Sequence, residues 1–303
     1  MPGNGTLLVS LDENSRGRDP QATVEGLGID LELVALVVAM CLAGAAAGLT
    51  AGLFGNSGGF VVVPALLAVL PLFSDADAEL IYVAIGTSLA SIVVSSARSV
   101  QAHSRRGAVD FQLLRDWSIW LVIGVAVGLY IASITDGRRL FMVFAVGVLF
   151  YSFYFLFPEL FTRIRHPFTL PRGTARAGLA SFLGGFSALL GIGGGTITVI
   201  TMVLCKRPVH QAVATAAGVG FIIGLPGAVG FLVLGLDVPN LPAGSLGYIN
   251  IPALLAISTL SVFTAPLGAR LAHNLNELHL KRLFGLYLVA VSVAMFYKAT
   301  HVT

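Results

Sequence analysis

The sequence predicts an all-α integral membrane protein, with about ten transmembrane or half-membrane helices in two inverted five-helix repeats. Composition is the first reason, because 56% of the 303 residues are hydrophobic and only 11% are charged. A soluble domain carries about 25% charged residues, so water alone could not solvate the outside of this chain. Lipid is therefore the expected environment. The apolar runs are continuous rather than alternating, which favours helices over a β-barrel.

The second reason is a series of ten apolar segments. They cover residues 31–54, 59–73, 79–97, 113–134, 139–158, 175–191, 195–205, 211–235, 250–272 and 281–298. The second and seventh are short for a full crossing of the hydrocarbon core. Each of them, together with the segment before it, forms either two crossings or a hairpin that turns inside the membrane.

The third reason is an internal repeat. The matched strings are, in chain order, 48–55 with 184–191, 58–59 with 194–195, 84–90 with 212–218, and 138–141 with 281–284. Each copy contains five segments, and an odd number inverts the second copy relative to the first, as in many secondary transporters. The chain is thus divided into a mobile N-terminal tail (1–30), a first repeat (31–158), a cytoplasmic linker (159–174) and a second repeat (175–303).

Most of the basic residues in the connections between segments lie on one side of the predicted membrane. One set of connections carries Arg98, Arg105, Arg106, Arg163, Arg165, Arg172, Arg176, Lys206, Arg207, Lys281 and Arg282. By the positive-inside rule this side is cytoplasmic. The protein is then a multi-pass protein of the cell (inner) membrane with both termini on the non-cytoplasmic side. Arg138 and Arg139 are the exception to this pattern.

Two glycine-rich stretches, 55–59 and 191–195, interrupt helices at matched positions. A broken helix at membrane depth is tolerated only where its freed backbone groups face protein or a wet cavity. The half-helix after each break directs unpaired N–H groups and a partial positive charge at the gap, and glycine lets the backbone close around an anion. Two such helix starts predict a cradle for a small anion near the membrane midplane.

Hydroxyl and amide donors surround this predicted cradle. The candidate substrate-binding residues are Asn56, Ser57, Gly58, Gly59, Thr87, Ser88, Gly193, Gly194, Gly195, Thr196 and Thr215. Arg98, at the end of a segment, is a candidate for a cytoplasmic vestibule that attracts anions, or an interfacial side chain that extends toward water. The alternative for the small residues is tight helix packing.

Several other function classes lack support in the sequence. The string Gly-Ile-Gly-Gly-Gly-Thr at 191–196 is not followed by the Gly-Lys-Ser/Thr of a nucleotide-binding loop. No catalytic residue, metal site or cofactor is expected, and no basic surface with exposed aromatics suggests a nucleic-acid partner. Cys41 and Cys205 have no metal-ligand or disulfide spacing and are interpreted as inert thiols.

The sequence resembles the TauE/SafE family, the sulfite exporter family of membrane permeases. The resemblance rests on strings that begin at Ala51, Gly86 and Ala102 in the first half, and at Gly191 and Ala265 in the second. It implies transport of a small sulfur-containing anion such as sulfite, sulfoacetate or a similar organosulfonate, outward and without ATP. We therefore expect a secondary transporter rather than an enzyme, with an unidentified coupling ion. The alternatives are a passive anion channel and a membrane sulfur-relay component.

Overall fold

The computed structural model describes residues 31–54, 58–72, 78–159, 170–274 and 277–301. Within these ranges the helices are α1 (Leu31–Phe54), α2 (Gly59–Val69), α3 (Leu80–Ser104), α4 (Phe111–Ser133), α5 (Gly137–Leu156), α6 (Gly173–Leu190), α7 (Gly195–Leu204), α8 (Val209–Leu234), α9 (Ile251–Asn274) and α10 (Glu277–His301). A 3₁₀ turn at Leu70–Leu72 extends α2, and an antiparallel hairpin of β1 (Ser245–Leu246) and β2 (Ile249–Asn250) precedes α9. The predicted tail 1–30, residues 160–169 of the predicted linker, and the candidate residues Asn56 and Ser57 lie outside the described residues.

These helices confirm the ten predicted segments and the all-α class. Six of them have the length and apolar composition needed to cross a membrane, namely α3, α4, α5, α8, α9 and α10. The largest difference is at the end of α3, which continues beyond the predicted limit at residue 97 to Ser104. A polar helix end remains stable where it leaves the hydrocarbon, because the side chains of Arg98 and Arg105 can reach water while their stems cover apolar surface.

The two short helices are half-membrane elements. The 11 residues of α2 and the 10 residues of α7 rise roughly 15 Å at 1.5 Å per residue, about half the ~30 Å hydrocarbon core. Neither can cross alone, so the breaks that precede them fall at membrane depth.

The packing is organised in four helix pairs. At the centre α3 crosses α8, and α3 is the most deeply buried of the six long spans. Around this pair, α1 packs along α9, α4 along α6 and α5 along α10. The short helices α2 and α7 pack on α3 and α8 respectively.

Glycine permits the closest of these approaches. A Cβ on Gly44 of α1 would lie 2.7 Å from the Ile257 Cα of α9, and a Cβ on Gly128 of α4 would lie 2.7 Å from the Gly185 carbonyl oxygen of α6. No side chain fits at such distances, so these backbones are in direct contact. The pairs α1–α9 and α4–α6 therefore each form a tightly packed unit.

Candidate functional site

The second helix break has the backbone conformation that its glycines predict. Helix α6 ends at Leu190, and Gly191, Gly193 and Gly194 have φ values of 64°, 68° and 70°. Side chains rarely adopt this left-handed conformation, whereas glycine adopts it without steric cost. Gly194 is the N-cap of α7 and has no side-chain cap. The first N–H groups of α7 therefore lack helical partners and face outward from its start.

The first break resembles the second in the part that is described. Gly58 has a φ of 70° and is the N-cap of α2, again without a side-chain cap. The two breaks lie against each other, because a Cβ on Gly59 would be 2.5 Å from the Gly191 carbonyl oxygen. Ser88 of α3 donates a hydrogen bond to that same carbonyl, at 2.7 Å. The two matched breaks are therefore in contact, whereas the anion cradle formed by both helix starts remains a prediction.

A cavity of about 550 Å³ extends from the second break to one end of the molecule. Its lining comes from the C-terminal half of α3, the first turns of α8, the middle of α9, Ala51 of α1 and Gly195 of α7. The hydroxyl groups in the lining belong to Ser95, Ser96, Ser99 and Ser261. Gly58 and Gly59 are buried and outside this lining. Of the two helix starts, only that of α7 contributes to the cavity.

The electrostatics of the cavity favour anions. Arg98, His103 and Arg106 line its outer part, and none of the described residues that line it is acidic. The salt bridges between described residues do not use Arg98 or Arg106. Their charge therefore acts on the cavity without a carboxylate partner from the described part of the chain, and the positive end of the α7 dipole adds to it. Arg98 lines the cavity, and its role in a cytoplasmic vestibule remains a prediction.

Thr87 and Thr215 join distant helices. Both side chains are completely buried. The Thr87 hydroxyl accepts a hydrogen bond from the Asn250 backbone N–H, and the Thr215 hydroxyl accepts one from the Asp110 backbone N–H, each at 2.9 Å. Asn250 and Asp110 in turn cap the first turns of α9 and α4 through their side chains, at 3.0 Å. The two threonines thus connect the central helices to the starts of α9 and α4, and neither lines the cavity.

Replacing Thr87 with Val is expected to destabilise the protein by about 1–3 kcal/mol, because the Asn250 N–H is left buried without a partner. The measurement is the unfolding midpoint of the purified protein in detergent. Thr201→Val is the matched control, since that hydroxyl donates to the Ile197 carbonyl of its own helix. Equal unfolding midpoints for the two variants would contradict the role of Thr87 in linking α3 to the start of α9.

The other predicted donors have distinct positions. Thr196 is buried one residue after Gly195, in the first turn of α7. The Gly193 carbonyl faces Gly220 of α8, and a Cβ on Gly220 would lie 2.7 Å from the Ser96 hydroxyl. Ser96 is therefore enclosed between α8 and the second break. Ser88 contributes to the contact between the breaks rather than to the cavity lining.

The sequence interpretation missed the serine face of α3. Ser96, Ser99 and His103 follow one another at spacings of three or four residues, which places them on one side of α3, and Arg106 lies in the turn that follows this helix. The pattern was overlooked because the predicted third segment ended at residue 97, which left Ser99 and His103 outside the helix. Cys41 and Cys205 are free cysteines outside the cavity lining.

An aromatic pair lies at the opposite end of the molecule. Tyr82 of α3 stacks on Tyr248 of the hairpin with ring centroids 5.0 Å apart. The Tyr248 hydroxyl donates to the Glu79 carboxylate at 2.5 Å, and the Tyr82 hydroxyl donates to the Thr135 carbonyl. Both tyrosines are buried. Tyr82, Tyr248 and Glu79 are called the outer seal below.

Comparison with known proteins places the chain in a family. The family described as "Sulfite exporter TauE/SafE" matches residues 40–295. A "Probable membrane transporter protein" of Haemophilus influenzae is 33% identical over 263 residues, which cover 86% of this chain and 98% of that protein. A probable membrane transporter protein of Methanocaldococcus jannaschii is 24% identical over 84% of this chain and 92% of its own length. A probable membrane transporter protein of Bacillus subtilis is 25% identical over 86% of this chain and 97% of its own length. No solved structure matches the chain significantly.

Proposed function

Because the chain belongs to the sulfite exporter TauE/SafE family, we propose that it is a secondary transporter of a small sulfur-containing anion. Its relatives are named membrane transporters, and the six apolar spans make it a multi-pass membrane protein. The observation that carries the choice of an anion is the cavity, whose described lining combines two arginines, a histidine and four serine hydroxyls with the start of α7 and includes no carboxylate.

The chemistry of the cavity suits a sulfur oxyanion. Sulfite and the sulfonate group of sulfoacetate each present several acceptor oxygens around one sulfur atom, so they need donors from several directions. Ser96 supplies a hydroxyl from α3, and the N–H groups of Gly195 and Thr196 supply donors from α7. Arg98 and Arg106 attract the anion into the cavity, and their guanidinium groups replace part of its hydration. Asn56 and Ser57 are proposed as further donors from the first break.

Alternating access between two inverted repeats is the proposed mechanism. If each helix of α1–α5 is exchanged with its counterpart in α6–α10, the pair α1–α9 becomes the pair α6–α4, which is also present. The pairs α3–α8 and α5–α10 are each converted into themselves. The two threonine joints exchange in the same way. This two-fold pattern of contacts supports rocking of one repeat against the other around the central helices.

The proposed orientation places the open end of the cavity in the cytoplasm. Arg105, Arg106 and Arg207 lie at that end, as the positive-inside rule requires of the cytoplasmic side. At the opposite end, Arg139 pairs with Asp136 at 3.5 Å, so its charge is partly balanced. This pair supports placing Arg138 and Arg139 on the non-cytoplasmic side of the inner membrane, together with both termini.

Purified protein in liposomes tests the function directly. We expect [³⁵S]sulfite to accumulate against its gradient when a proton or sodium gradient is imposed, with competition by sulfite analogues such as sulfoacetate but not by taurine, whose ammonium group offsets the charge. A channel could only dissipate the gradient, and a sulfur relay would require Cys41 or Cys205. Absence of uptake of sulfite, sulfate, thiosulfate and sulfoacetate would refute the proposal.

The outer seal should control access from outside. The background is a variant that lacks Cys41 and Cys205 and carries Ser96→Cys as the only thiol. In this background, Tyr248→Phe removes the hydrogen bond to Glu79. It should raise the labelling of the Ser96→Cys thiol by an external, membrane-impermeant methanethiosulfonate about tenfold, which corresponds to a shift of ~1.4 kcal/mol in the equilibrium between closed and open states. Tyr130→Phe is the control, because that tyrosine is exposed. Equal labelling of the two variants would show that this hydrogen bond does not hold the outer end closed.

A further inference from the structure

Among the described residues, three buried hydroxyl groups make no hydrogen bond, namely those of Tyr151, Ser187 and Ser258, and the first two lie near the helix breaks. The Ser187 hydroxyl on α6 and the Tyr151 hydroxyl on α5 are neighbours, but neither makes a hydrogen bond of normal geometry in the described part of the chain, although Ser187 is 0% exposed and Tyr151 is 1% exposed. A serine inside a helix ordinarily donates to a carbonyl of the preceding turn, as Ser152 does to Leu149 at 2.6 Å. A buried hydroxyl without any partner costs free energy, so its presence calls for a physical reason.

The Ser187 hydroxyl is directed at the start of α7. A Cβ on Gly194, the N-cap of that ten-residue helix, would lie 3.0 Å from the Ser187 oxygen. The first residue of α7 bonded back to this cap is Thr198, whose N–H donates to the Gly194 carbonyl at 3.2 Å. The intervening N–H groups and the Ser187 hydroxyl are therefore donors that converge on one place.

Tyr151 lies between the two breaks. Its ring contacts Phe60, the second residue of α2, with centroids 4.7 Å apart, and it stacks on Phe186, the neighbour of Ser187, at 6.1 Å. Helices α2, α5, α6 and α7 contain no acidic residue. Neutral donors beside the positive end of a helix, without a carboxylate, favour an anion over a cation.

The repeat supplies a second, independent argument. In the alignment of 48–55 with 184–191, Ser187 corresponds to Ala51, and Ala51 lines the cavity that opens at the basic end. Inversion of the repeats would therefore place Ser187 in the lining of the equivalent cavity that opens toward the outer seal.

We propose that Ser187 and Tyr151 form a second donor site for the transported anion. The anion occupies this site when the binding pocket is open to the outer side of the membrane. The proposal rests on the proposed function. It assigns to α6 the contribution that the serine face of α3 makes on the cytoplasmic side.

The test compares Ser187→Ala and Tyr151→Phe with Ser152→Ala, whose hydroxyl already has a partner. Uptake of [³⁵S]sulfite into liposomes and the shift in unfolding midpoint caused by sulfite are measured for each. We expect Ser187→Ala to unfold at the wild-type midpoint or higher without sulfite, because the deleted group had no partner, but to lose most of the sulfite-induced shift and to take up sulfite about tenfold more slowly. Ser152→Ala should unfold earlier and transport normally.

The outcomes separate the two proposals. If the wild type neither transports nor responds to any of the anions, the proposed function fails. If the wild type transports and Ser187→Ala matches it in rate and in sulfite-induced shift, the second donor site is excluded and the proposed function stands. A lower midpoint of Ser187→Ala without sulfite, with an unchanged sulfite-induced shift, would instead identify a structural hydroxyl with a bound water and overturn the inference.

Discussion

Gly194→Ala is expected to lower the rate of sulfite uptake by about tenfold to a hundredfold. An L-residue held at this left-handed φ costs roughly 1–2 kcal/mol, and the added Cβ would lie 2.7 Å from the Ile223 Cδ1 and 3.0 Å from the Ser187 hydroxyl. The cap must then move, and the N–H groups of α7 move with it away from the anion. Initial rates of [³⁵S]sulfite uptake into liposomes measure the effect, with the unfolding midpoint recorded for the same preparation.

Gly107→Ala is the matched control for this substitution. Gly107 has a φ of 64°, close to that of Gly194, but a Cβ added there meets nothing within 4 Å. The control therefore carries the same backbone cost at an exposed turn, away from the break. If Gly194→Ala transports as fast as Gly107→Ala, the start of α7 does not bind the anion.

Arg98→Glu should reduce uptake by a similar factor. The substitution introduces a carboxylate into a cavity whose described lining includes none, and it reverses one of the charges that attract the anion. At the effective dielectric of a protein surface, charges a few ångströms apart interact by about 1–4 kcal/mol, which corresponds to roughly tenfold to a thousandfold in affinity. The loss should be expressed mainly as a higher KM and should decrease as salt is added, because salt screens exposed charges.

Arg105→Glu controls for net charge. Arg105 is exposed at the same end of the protein but does not line the cavity. It should therefore change the KM far less than Arg98→Glu does. Equal effects of the two substitutions would assign the attraction to the overall field of the protein rather than to a vestibule at Arg98.

The fold was largely predictable because its main signals are local. A run of apolar residues identifies a membrane helix wherever it occurs in the chain, since the bilayer sets the required length. The matched glycines identified the breaks for the same reason, because the conformations at Gly58 and Gly194 depend on the absence of their own side chains. Arg98 was expected at a helix end near the membrane surface for a similar reason, because basic residues mark the ends of membrane helices.

The roles of individual donors were less predictable, because they depend on contacts between distant segments. Thr87 and Thr215 were chosen as donors for their position in matched strings, but their hydroxyls accept bonds from residues 163 and 105 positions away in the chain. Ser96 was missed although it lies beside the second break. The sequence of a single helix does not determine which of its hydroxyls faces a partner helix and which faces a cavity.

The sequence by itself determined that this protein is a membrane bundle of ten apolar helices, with two breaks at matched positions and one basic side. Hydrophobic length, glycine conformation and charge are properties of short segments, so no partner is needed to detect them. Only the tertiary structure decided that the α7 start faces the cavity while Gly59 packs against Gly191, and that the buried Ser187 hydroxyl makes no hydrogen bond of normal geometry to another described residue. Those properties arise where separate helices cross, and the crossing determines which polar groups are satisfied and which remain available to a ligand.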